Sequence, residues 1–406
     1  MRKILWVCHF LPFPSTGHGA LQRTHHLIKR VAKHHQVQLF ICTPCQGMDV
    51  ITRELGVHRI FSSTRRNPIS QPVTLAKSIL SKQTYWDTLF YDHTLHKELC
   101  KAANTGDTIV ILDTIFLAPY LRGINSERTI INHHNIESLL LDQRAERTNG
   151  IRAAFFSRQG ILTRDAEREI CPRVKDNLVV SPEDRTRLAE VVGEFRSTIV
   201  PNGVDIDYFS NGERAKLSQR PHSLIFAGGM DWYPNKDAMQ WMCQDIWPSL
   251  SARVSNRTLT VIGRSPPSEL KELAAKDPRV VVTGFVDDVR PYIHAAATYI
   301  CPIRQGGGTR LKILDALALG CPLVATDLAV DGLALADGVH YLRANSVDEM
   351  HEALCRLDSD PELGQRISRA GRQHVVERFS WDHIADQLLE VLENLSMADK
   401  TASENN

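Results

Sequence analysis

Short apolar runs alternate with segments of helical period along almost the whole chain. In the first half, apolar runs at 4–7, 37–42, 108–112 and 129–132 predict buried strands, and longer amphipathic segments separate them. Strands that alternate with helices in this way are typical of a parallel sheet with crossover connections. The first half therefore predicts an α/β domain with a doubly wound sheet.

The same alternation restarts after Pro201, Asn202 and Gly203, three residues that predict a turn. Apolar runs that predict strands then recur at 223–227, 259–262, 280–283, 298–302 and 323–326. We expect two domains of similar size, followed by an amphipathic helix and a polar, disordered tail. Their predicted bounds are 1–200, 201–380, 381–396 and 397–406.

The composition is that of a soluble globular protein, because 43% of the 406 residues are hydrophobic and 23% are charged. No apolar run approaches the roughly 18 residues of a membrane-spanning helix. The first residues resemble a weak signal peptide, but His9 and Pro12 interrupt the apolar run. We therefore expect a cytoplasmic protein. Its nine irregularly spaced cysteines predict free thiols and no disulfide framework.

The net charge of +1 hides an asymmetry between the two halves. Basic residues exceed acidic ones in 1–200, and acidic residues exceed basic ones in 201–406. The basic half indicates an anionic partner, either a phosphate-bearing lipid substrate or an anionic membrane surface. Nucleic acid is not expected, because no basic motif interleaved with aromatic residues is present. A solvated imbalance without function is the alternative.

The most informative segment is a glycine-rich turn that precedes a helix of apolar period. Gly306, Gly307 and Gly308 lead into Thr309, and the cations Arg310 and Lys312 follow. Such a turn exposes backbone N–H groups at the positive end of a helix dipole, which is a favourable place for phosphate. The segment therefore predicts a phosphate site. The alternative is a flexible loop with solvated basic residues.

Seven segments together resemble the retaining GT-B glycosyltransferases known as glycosyltransferase family four. The first of them, GGGTRLKILDALALGCPLVAT at 306–326, resembles that family's donor motif. The other six are Gly17-His18-Gly19, HHNIE at 133–137, PNGVD at 201–205, FAGGM at 226–230, GFV at 284–286 and FSW at 379–381. These segments keep the order of the family and extend over nearly the whole chain.

The resemblance implies a GT-B fold of two facing Rossmann-like domains, with the C-terminal helix packing on the first. The first domain would bind the acceptor and the second the nucleotide sugar. The implied activity moves a sugar from a UDP- or GDP-linked donor to a saccharide or lipid-linked acceptor with retention of configuration. Such enzymes take part in exopolysaccharide or glycolipid synthesis, and this one would work at the inner membrane face.

The resemblance also assigns roles to individual residues. Cations that stabilise the departing diphosphate, and an imidazole that positions the sugar, would be Lys236, Arg310, Lys312 and His134. For His134 the alternative is a core histidine at the end of a strand. The donor-binding residues would be Gly17, Gly19, Gly229, Val286, Gly306, Gly307, Gly308, Thr309 and Asp315. No metal or other cofactor is implied, and the acidic pair Asp287 and Asp288 is interpreted as a helix cap.

Three positions depart from the family pattern. Gly307 stands where most members have the first of two acidic residues, and the second is Asp315, one methylene shorter than the usual Glu. Met230 stands where an Arg is expected. Two alternatives stay open: a nucleotide-sugar epimerase of the same architecture, and a non-catalytic nucleotide-sugar-binding subunit, for which the missing acidic residue at 307 is the argument.

Overall fold

The structure is a computed structural model that describes residues 1–13, 19–63, 71–81, 83–209 and 220–404. The chain divides into two compact units. The first unit comprises Met1–Pro201 and Ile384–Asn406, and the second comprises Asn202–His383.

The first unit contains a seven-stranded sheet in which every pairing is parallel. Its order is β3-β2-β1-β4-β5-β6-β7. The strands are β1 Lys3–Cys8, β2 Gln36–Ile41, β3 Arg59–Ser62, β4 Thr108–Leu112, β5 Thr129–Asn132, β6 Asp176–Val179 and β7 Ser197–Ile199. Successive strands extend in one direction from β1 and then in the other, so the predicted doubly wound α/β class is confirmed.

Helices connect these strands, as parallel pairing requires. They are α1 Gly19–Val31, α2 Met48–Leu55, α3 Gln71–Leu80, α4 Tyr85–Phe90, α5 His93–Ala103, α6 Glu137–Glu146, α7 Ile151–Ile170 and α8 Pro182–Val192. Two short 3₁₀ segments, Ile115–Leu121 and Ser126–Arg128, complete the set. Ser181 illustrates how the sequence starts a helix, since its hydroxyl accepts the backbone N–H of Asp184 at 3.1 Å, directly before Pro182.

The second unit contains a six-stranded sheet that is also entirely parallel, in the order β10-β9-β8-β11-β12-β13. The strands are β8 Arg220–Ala227, β9 Thr258–Ile262, β10 Val280–Gly284, β11 Ala296–Cys301, β12 Leu323–Ala325 and β13 Leu342–Arg343. The central strands β8 and β11 are buried on both faces, as in Leu224, Ile225, Tyr299 and Ile300.

The helices of the second unit follow the same alternation with its strands. They are α9 Tyr233–Trp241, α10 Trp247–Arg253, α11 Ser268–Lys276, α12 Arg290–Ala295, α13 Leu311–Ala318, α14 Asp327–Val330, α15 Val347–Ser359, α16 Pro361–Arg378 and α17 Trp381–Glu404. A π-helical segment, Met242–Ile246, joins α9 to α10. The helix α17 begins in the second unit, and from Ile384 onwards its residues belong to the first. There Leu392 accepts a hydrogen bond from the Arg2 guanidinium at 3.0 Å.

Two of the sequence motifs meet inside the second unit. The backbone N–H of Val204 donates to the carbonyl of Phe379 at 2.7 Å, and Trp381 donates back to Val204 at 3.3 Å. A Cβ placed on Gly203 would lie 2.8 Å from the Trp381 ring and 3.0 Å from the Phe379 carbonyl. Glycine at 203 therefore allows the PNGVD and FSW segments to pack directly against each other.

Three helix predictions differ from the structure. The charged pattern from Arg144 to Glu169 predicts one long helix, but the helix is interrupted, because Gly150 adopts a φ of +62° between α6 and α7. The apolar period at 237–247 predicts a second helix, which in the structure begins earlier, at Tyr233, and is divided by the π-helical segment. The last helix runs on to Glu404, past the end predicted at 396, through a segment without Gly or Pro.

The nine cysteines all lie in the described part of the chain, and all are free thiols. Within the same residues, no helix combines the length and the apolar character needed to cross a bilayer.

Candidate functional site

The sheet order of the second unit indicates where a ligand would bind. The strands β9 and β10 extend from one side of β8, and β11 lies on its other side, so the order reverses between β8 and β11. Ligands of open parallel sheets bind at the carboxyl ends of the strands beside such a reversal. The segment 228–231 follows β8 and the glycine-rich turn follows β11, so both predicted donor segments lie at this edge.

The glycine-rich turn leads directly into α13. Gly306 and Gly308 adopt φ values of +94° and +70°, which glycine tolerates better than other residues. The Thr309 hydroxyl accepts a hydrogen bond from the side-chain amide of Asn202 at 2.7 Å, which connects the PNGVD segment to the turn. The N–H of Ile313 donates to the Arg310 carbonyl at 2.9 Å, and the N–H groups at the start of α13 form the positive end of its dipole.

The guanidinium of Arg310 turns back onto the glycine-rich turn instead of pointing away from it. It donates to the carbonyl oxygens of Gly307 at 2.5 Å, of Gly306 at 2.9 Å and of Gly308. These carbonyls are thereby directed toward Arg310, which is 9% exposed. The contact stabilises the conformation of the turn, a role that the sequence did not indicate. The predicted contact of Arg310 with a phosphate stays a prediction.

Lys312 is the cation that the structure brings to both predicted donor segments. Its ammonium donates to the side-chain oxygen of Asn235 and lies 4.5 Å from the centre of the Phe226 ring. The amide of Asn235 in turn donates to the carbonyl of Gly229 at 2.7 Å. A Cβ on Gly228 would collide with the Lys312 ammonium, so glycine at 228 is what leaves room for the cation.

Burial sets the ionisation of the two charged groups on this face of α13. It lowers the pKa of Lys312 to about 8 and raises the pKa of Asp315 to about 8. The Asp205 carboxylate of the PNGVD segment raises the pKa of Asp315 further, whereas Lys312 opposes the shift. Both groups therefore titrate near neutral pH, which is common at ligand-binding sites.

The remaining predicted residues of the second unit lie around this cluster. Gly229 belongs to it through its carbonyl, and Val286 is partly buried just beyond the end of β10. Lys236 is exposed on the first turn of α9, and the contacts that join Lys312, Asn235 and Gly229 do not include it. The interpretation of Asp287 and Asp288 as a helix cap is met only in part, because the N-cap of α12 is Val289, while Asp288 accepts the backbone N–H and the guanidinium of Arg290, both at 2.9 Å.

Sequence reasoning missed Arg264, which follows β9 at the same edge of the sheet. Its carbonyl accepts the N–H of Met230 at 2.9 Å, and its guanidinium donates to Asp231 at 2.9 Å. A Cβ on Gly229 would lie 3.5 Å from the Arg264 side chain. The available signal was its position directly after the apolar run 259–262 and Gly263.

The first unit has its own reversal of strand order, between β1 and β4, and His134 lies close to it. His134 follows β5, and Nε2 of its imidazole lies 3.3 Å from the Asp113 carboxylate, which follows β4. Asp113 also accepts hydrogen bonds from the Thr24 hydroxyl at 2.6 Å and from the Asn132 amide at 2.7 Å. Asp113 was not predicted as a site residue, although a polar residue at the end of a buried strand is a usable signal.

The environment of Asp113 favours its ionised form. Burial opposes ionisation, but the nearby His134 imidazole and the hydrogen bonds from His134 and Thr24 outweigh burial and lower the pKa of the carboxyl. Asp113 and His134 are 2% and 8% exposed, so the pair is shielded from water. The imidazole thus lies 3.3 Å from a carboxylate that Thr24 and Asn132 hold in place, and this contact limits how the ring can turn.

Of the two glycines predicted to bind the donor in the first unit, the structure describes Gly19. Gly17 lies outside the described residues, and Gly19 is the first residue of α1. The Arg23 guanidinium, further along α1, donates to the Asn132 side chain at 2.9 and 3.0 Å and to the Pro201 carbonyl at 2.7 Å. It is fully buried, so these contacts fix the first turns of α1 against the end of β5.

Two doubly wound parallel sheets, with a glycine-rich turn and a partly buried cation at the carboxyl edge of the second, define an α/β protein of the doubly wound class. Comparison with known families makes the class specific: residues 221–360 match the family model described as glycosyl transferases group 1. The resemblance expected from the sequence is confirmed for this segment, which is similar to the group 1 glycosyltransferases.

The curated relatives include several mannosyltransferases. The phosphatidyl-myo-inositol mannosyltransferase of Mycobacterium leprae is 27% identical over 203 residues, which cover 48% of this chain and 53% of the relative. A GDP-mannose-dependent α-(1-6)-phosphatidylinositol monomannoside mannosyltransferase of Mycobacterium tuberculosis is 28% identical over 52% of this chain and 60% of its own length. The chain therefore matches between half and two thirds of the length of these relatives.

Solved structures resemble the whole chain. Sucrose-phosphate synthase from Thermosynechococcus elongatus superimposes with a TM-score of 0.72 at 17% identity, covering 98% of this chain and 100% of that one. The Anabaena protein HepE, solved in complex with UDP, gives a TM-score of 0.67 at 16% identity over 97% of this chain and 100% of its own. At these identities the likeness establishes the fold, and the fold is that of the GT-B glycosyltransferases.

Proposed function

We propose that the protein is a retaining glycosyltransferase that moves a sugar from a nucleotide diphosphate sugar to a saccharide or lipid-linked acceptor. The observation that carries the proposal is the cluster at the carboxyl edge of the second sheet. There a glycine-rich turn, a helix N-terminus and the partly buried ammonium of Lys312 lie together within the segment that matches the group 1 glycosyltransferases.

The diphosphate is assigned to the turn at 306–309 and the first turn of α13. Backbone N–H groups there donate to phosphate oxygens, and Lys312 supplies a full positive charge. Asp315 lies one helical turn after Lys312 and is assigned to the ribose hydroxyls. A carboxyl group serves there in either protonation state, because it accepts hydrogen bonds when ionised and also donates one when protonated.

The reaction breaks the bond between the anomeric carbon of the donor sugar and the β-phosphate oxygen. A bond forms between that carbon and the acceptor hydroxyl oxygen, on the same face of the sugar. The acceptor proton passes to the departing phosphate oxygen, so the products are a glycoside and a nucleoside diphosphate. Negative charge grows on the diphosphate as the bond breaks, and fixed cations and N–H dipoles stabilise it.

The proposal needs no metal ion, because the chain supplies its own cations for the diphosphate. Lys312 lies in the cluster, Arg310 stabilises the turn beside it, and Lys236 follows Asn235 on α9. Turnover that is unchanged by a chelator and not raised by Mg²⁺ supports this part of the proposal. Turnover that depends on a divalent cation contradicts it.

His134 is assigned to the transferred sugar as a positioning group. The imidazole is held by Asp113, so it offers the sugar a hydrogen bond from a fixed direction. In the proposed reaction the acceptor proton passes to the donor's own phosphate, so His134 is not required as a base.

The relatives suggest which donors to examine first. One mannosyltransferase is described as GDP-mannose-dependent, and HepE was solved with UDP-glucose. Because some relatives are named as phosphatidylinositol mannosyltransferases, a lipid-linked acceptor is proposed together with saccharides. The excess of basic residues in the first half suits an acceptor that carries phosphate or lies at an anionic membrane surface.

The experiment is a donor and acceptor panel with chemical analysis of the products. The proposal expects release of UDP or GDP that requires an acceptor, together with a new glycoside that keeps the anomeric configuration of the donor. A new epimer of the donor without acceptor would instead indicate an epimerase. Tight donor binding without nucleoside diphosphate release under any acceptor would indicate a binding subunit. The variant Lys312→Ala serves as the control for reaction at this site.

A further inference from the structure

We propose that Arg264 is a second diphosphate-binding cation. It lies with Lys312 beside the Gly228–Gly229 backbone and forms an ion pair with Asp231. This inference rests on the proposed function, since it concerns the same donor site. The predicted set of cations did not include Arg264, which comes from a neighbouring strand.

The loops that follow β8 and β9 lie close together. The N–H of Gly228 donates to the carbonyl of Ile262 at 2.8 Å, and the N–H of Met230 donates to that of Arg264 at 2.9 Å. Gly263 has a φ of +151°, and a Cβ there would collide with the Gly228 carbonyl oxygen. The loops after β8 and β9 are therefore joined so tightly that the position of Arg264 is determined by the position of the donor loop.

The side chains of Lys312 and Arg264 lie beside two successive glycines, Gly228 and Gly229. A Cβ on Gly228 would meet the Lys312 ammonium, and a Cβ on Gly229 would lie 2.5 Å from Oδ1 of Asp231 and 3.5 Å from both Cγ and Nε of Arg264. Successive Cα atoms are about 3.8 Å apart, so the two cations border one short stretch of backbone. A diphosphate is a compact group with charge on both of its phosphates, and it matches such a pair.

Lys312 and Arg264 differ in their exposure to water. Lys312 is partly buried and is fixed by Asn235 and the Phe226 ring. The side chain of Arg264 is 49% exposed, and its partner Asp231 is 47% exposed. An ion pair that is so open to water contributes little stability, so Arg264 can exchange part of its interaction with Asp231 for a phosphate at small cost.

The guanidinium of Arg264 has more hydrogen-bond donors than its contact with Asp231 uses. Arg264 donates to Asp231 through Nε at 2.9 Å, and a guanidinium carries five N–H donors in all. The remaining donors suit two oxygens of a phosphate, which is the geometry that distinguishes Arg from Lys. Asp231 is bound through Nε alone, so a phosphate that binds the remaining donors does not have to displace the carboxylate.

The test compares binding of UDP and GDP to the full chain by calorimetry. Removing a charged hydrogen-bond donor should weaken nucleoside diphosphate binding by roughly 10- to 100-fold in Arg264→Ala. Binding of Arg264→Ala should also depend less on salt than that of the unaltered protein. Arg264→Lys should lie between the two, because it keeps the charge and loses the planar fork.

The matched control is Arg253→Ala. Arg253 ends α10, on the amino side of β9, and has a similarly exposed ion pair with Asp348. It should leave binding of both nucleoside diphosphates unchanged, and thermal unfolding of every variant checks the fold. Equal affinity of Arg264→Ala and the unaltered protein overturns the proposal.

Asp231→Asn separates a binding role from a structural one. The substitution removes a negative charge beside the phosphate, so binding should be retained or strengthened. If Asp231→Asn weakens binding as much as Arg264→Ala does, the ion pair only maintains the loop and the proposal is overturned. If the unaltered protein binds neither UDP nor GDP, the proposed function itself fails, and the two failures are thereby distinguished.

Discussion

The imidazole of His134 and the carboxylate of Asp113 lie 3.3 Å apart at the ends of two neighbouring strands, β5 and β4. Both side chains are buried, and Asp113 is further bound by Thr24 and Asn132. The carboxylate is therefore fixed, and it determines how the imidazole is oriented. This relationship gives His134 a defined direction in which to offer a hydrogen bond.

Asp113→Asn should lower the turnover number by roughly 10- to 100-fold, because a misplaced positioning group raises the barrier of the chemical step. Nucleoside diphosphate affinity should stay unchanged, since that ligand is assigned to the second unit. Steady-state kinetics together with calorimetry check both expectations. Asp107→Asn, which alters an exposed partner of Arg2, is the control. An Asp113→Asn enzyme with normal turnover would show that the carboxylate does not position His134.

Nucleoside diphosphate binding should weaken as the pH rises above about 8, the value to which burial lowers the pKa of Lys312. An anion favours the charged ammonium, so above this pH binding must take up a proton, and affinity falls by up to about tenfold per pH unit. Lys312→Arg should remove most of this dependence, because the guanidinium stays charged. Calorimetry between pH 6.5 and 9.5 measures it.

Asp315 offers a control for that experiment, since burial raises the pKa of its carboxyl to about 8 as well. Ionisation of Asp315 adds a negative charge near the phosphates in the same pH range. If Asp315→Asn abolishes the pH dependence and Lys312→Arg does not, the titrating group is the carboxyl and the role of Lys312 is wrong.

Glu167 should make the protein less stable as the pH rises. The side chain is fully buried on α7, and burial raises the pKa of its carboxyl to about 7, although Ser138 donates to it through both N–H and hydroxyl. A carboxyl with a raised folded-state pKa contributes stability that is present below its unfolded pKa and is lost as the pH rises through 7.

Between pH 5 and pH 8, Glu167→Gln should therefore lose less stability than the unaltered protein, by about 1–3 kcal/mol. Urea unfolding at both pH values gives the two free energies. Glu183→Gln, at an exposed position on the first turn of α8, should behave like the unaltered protein. The same pH dependence in Glu167→Gln and the unaltered protein would mean that Glu167 does not titrate in the folded state.

Gly203→Ala should destabilise the protein by about 1–3 kcal/mol, as overpacking in a well-packed interior does. The added methyl would lie 2.8 Å from the ring of Trp381, a residue that is 2% exposed. Thermal unfolding measures the loss. Gly338→Ala is an instructive comparison, because nothing lies within 4 Å of its Cβ position and its φ of +72° alone causes strain. A Gly203→Ala protein with unchanged stability would show that the contact with Trp381 is not tight.

Much of the fold could be predicted because the central strands, such as β1, β4, β5 and β11, are buried on both faces and leave continuous apolar runs in the sequence. The glycine-rich turn at 306–308 was accessible for a similar reason, since three successive glycines have few structural uses. Gly150, by contrast, was missed as a helix break, because an isolated glycine is tolerated within helical patterns.

The site was predicted less completely, because tertiary contacts decide the direction of a charged side chain. The sequence places Arg310 and Lys312 on one helix start, yet one contacts loop carbonyls and the other reaches Asn235 on α9. Asp113 lies beside His134 because β4 and β5 are neighbours in the first sheet. Arg264 lies beside Gly229 because β9 and β8 are neighbours in the second sheet. The sequence alone does not give either order.

The most direct measurement is a crystal structure of the protein with UDP or GDP bound. The account predicts the diphosphate within hydrogen-bond distance of the N–H groups at 306–309 and of the Lys312 ammonium, with the ribose beside Asp315. A nucleotide bound elsewhere, with the glycine-rich turn free of phosphate, would contradict it.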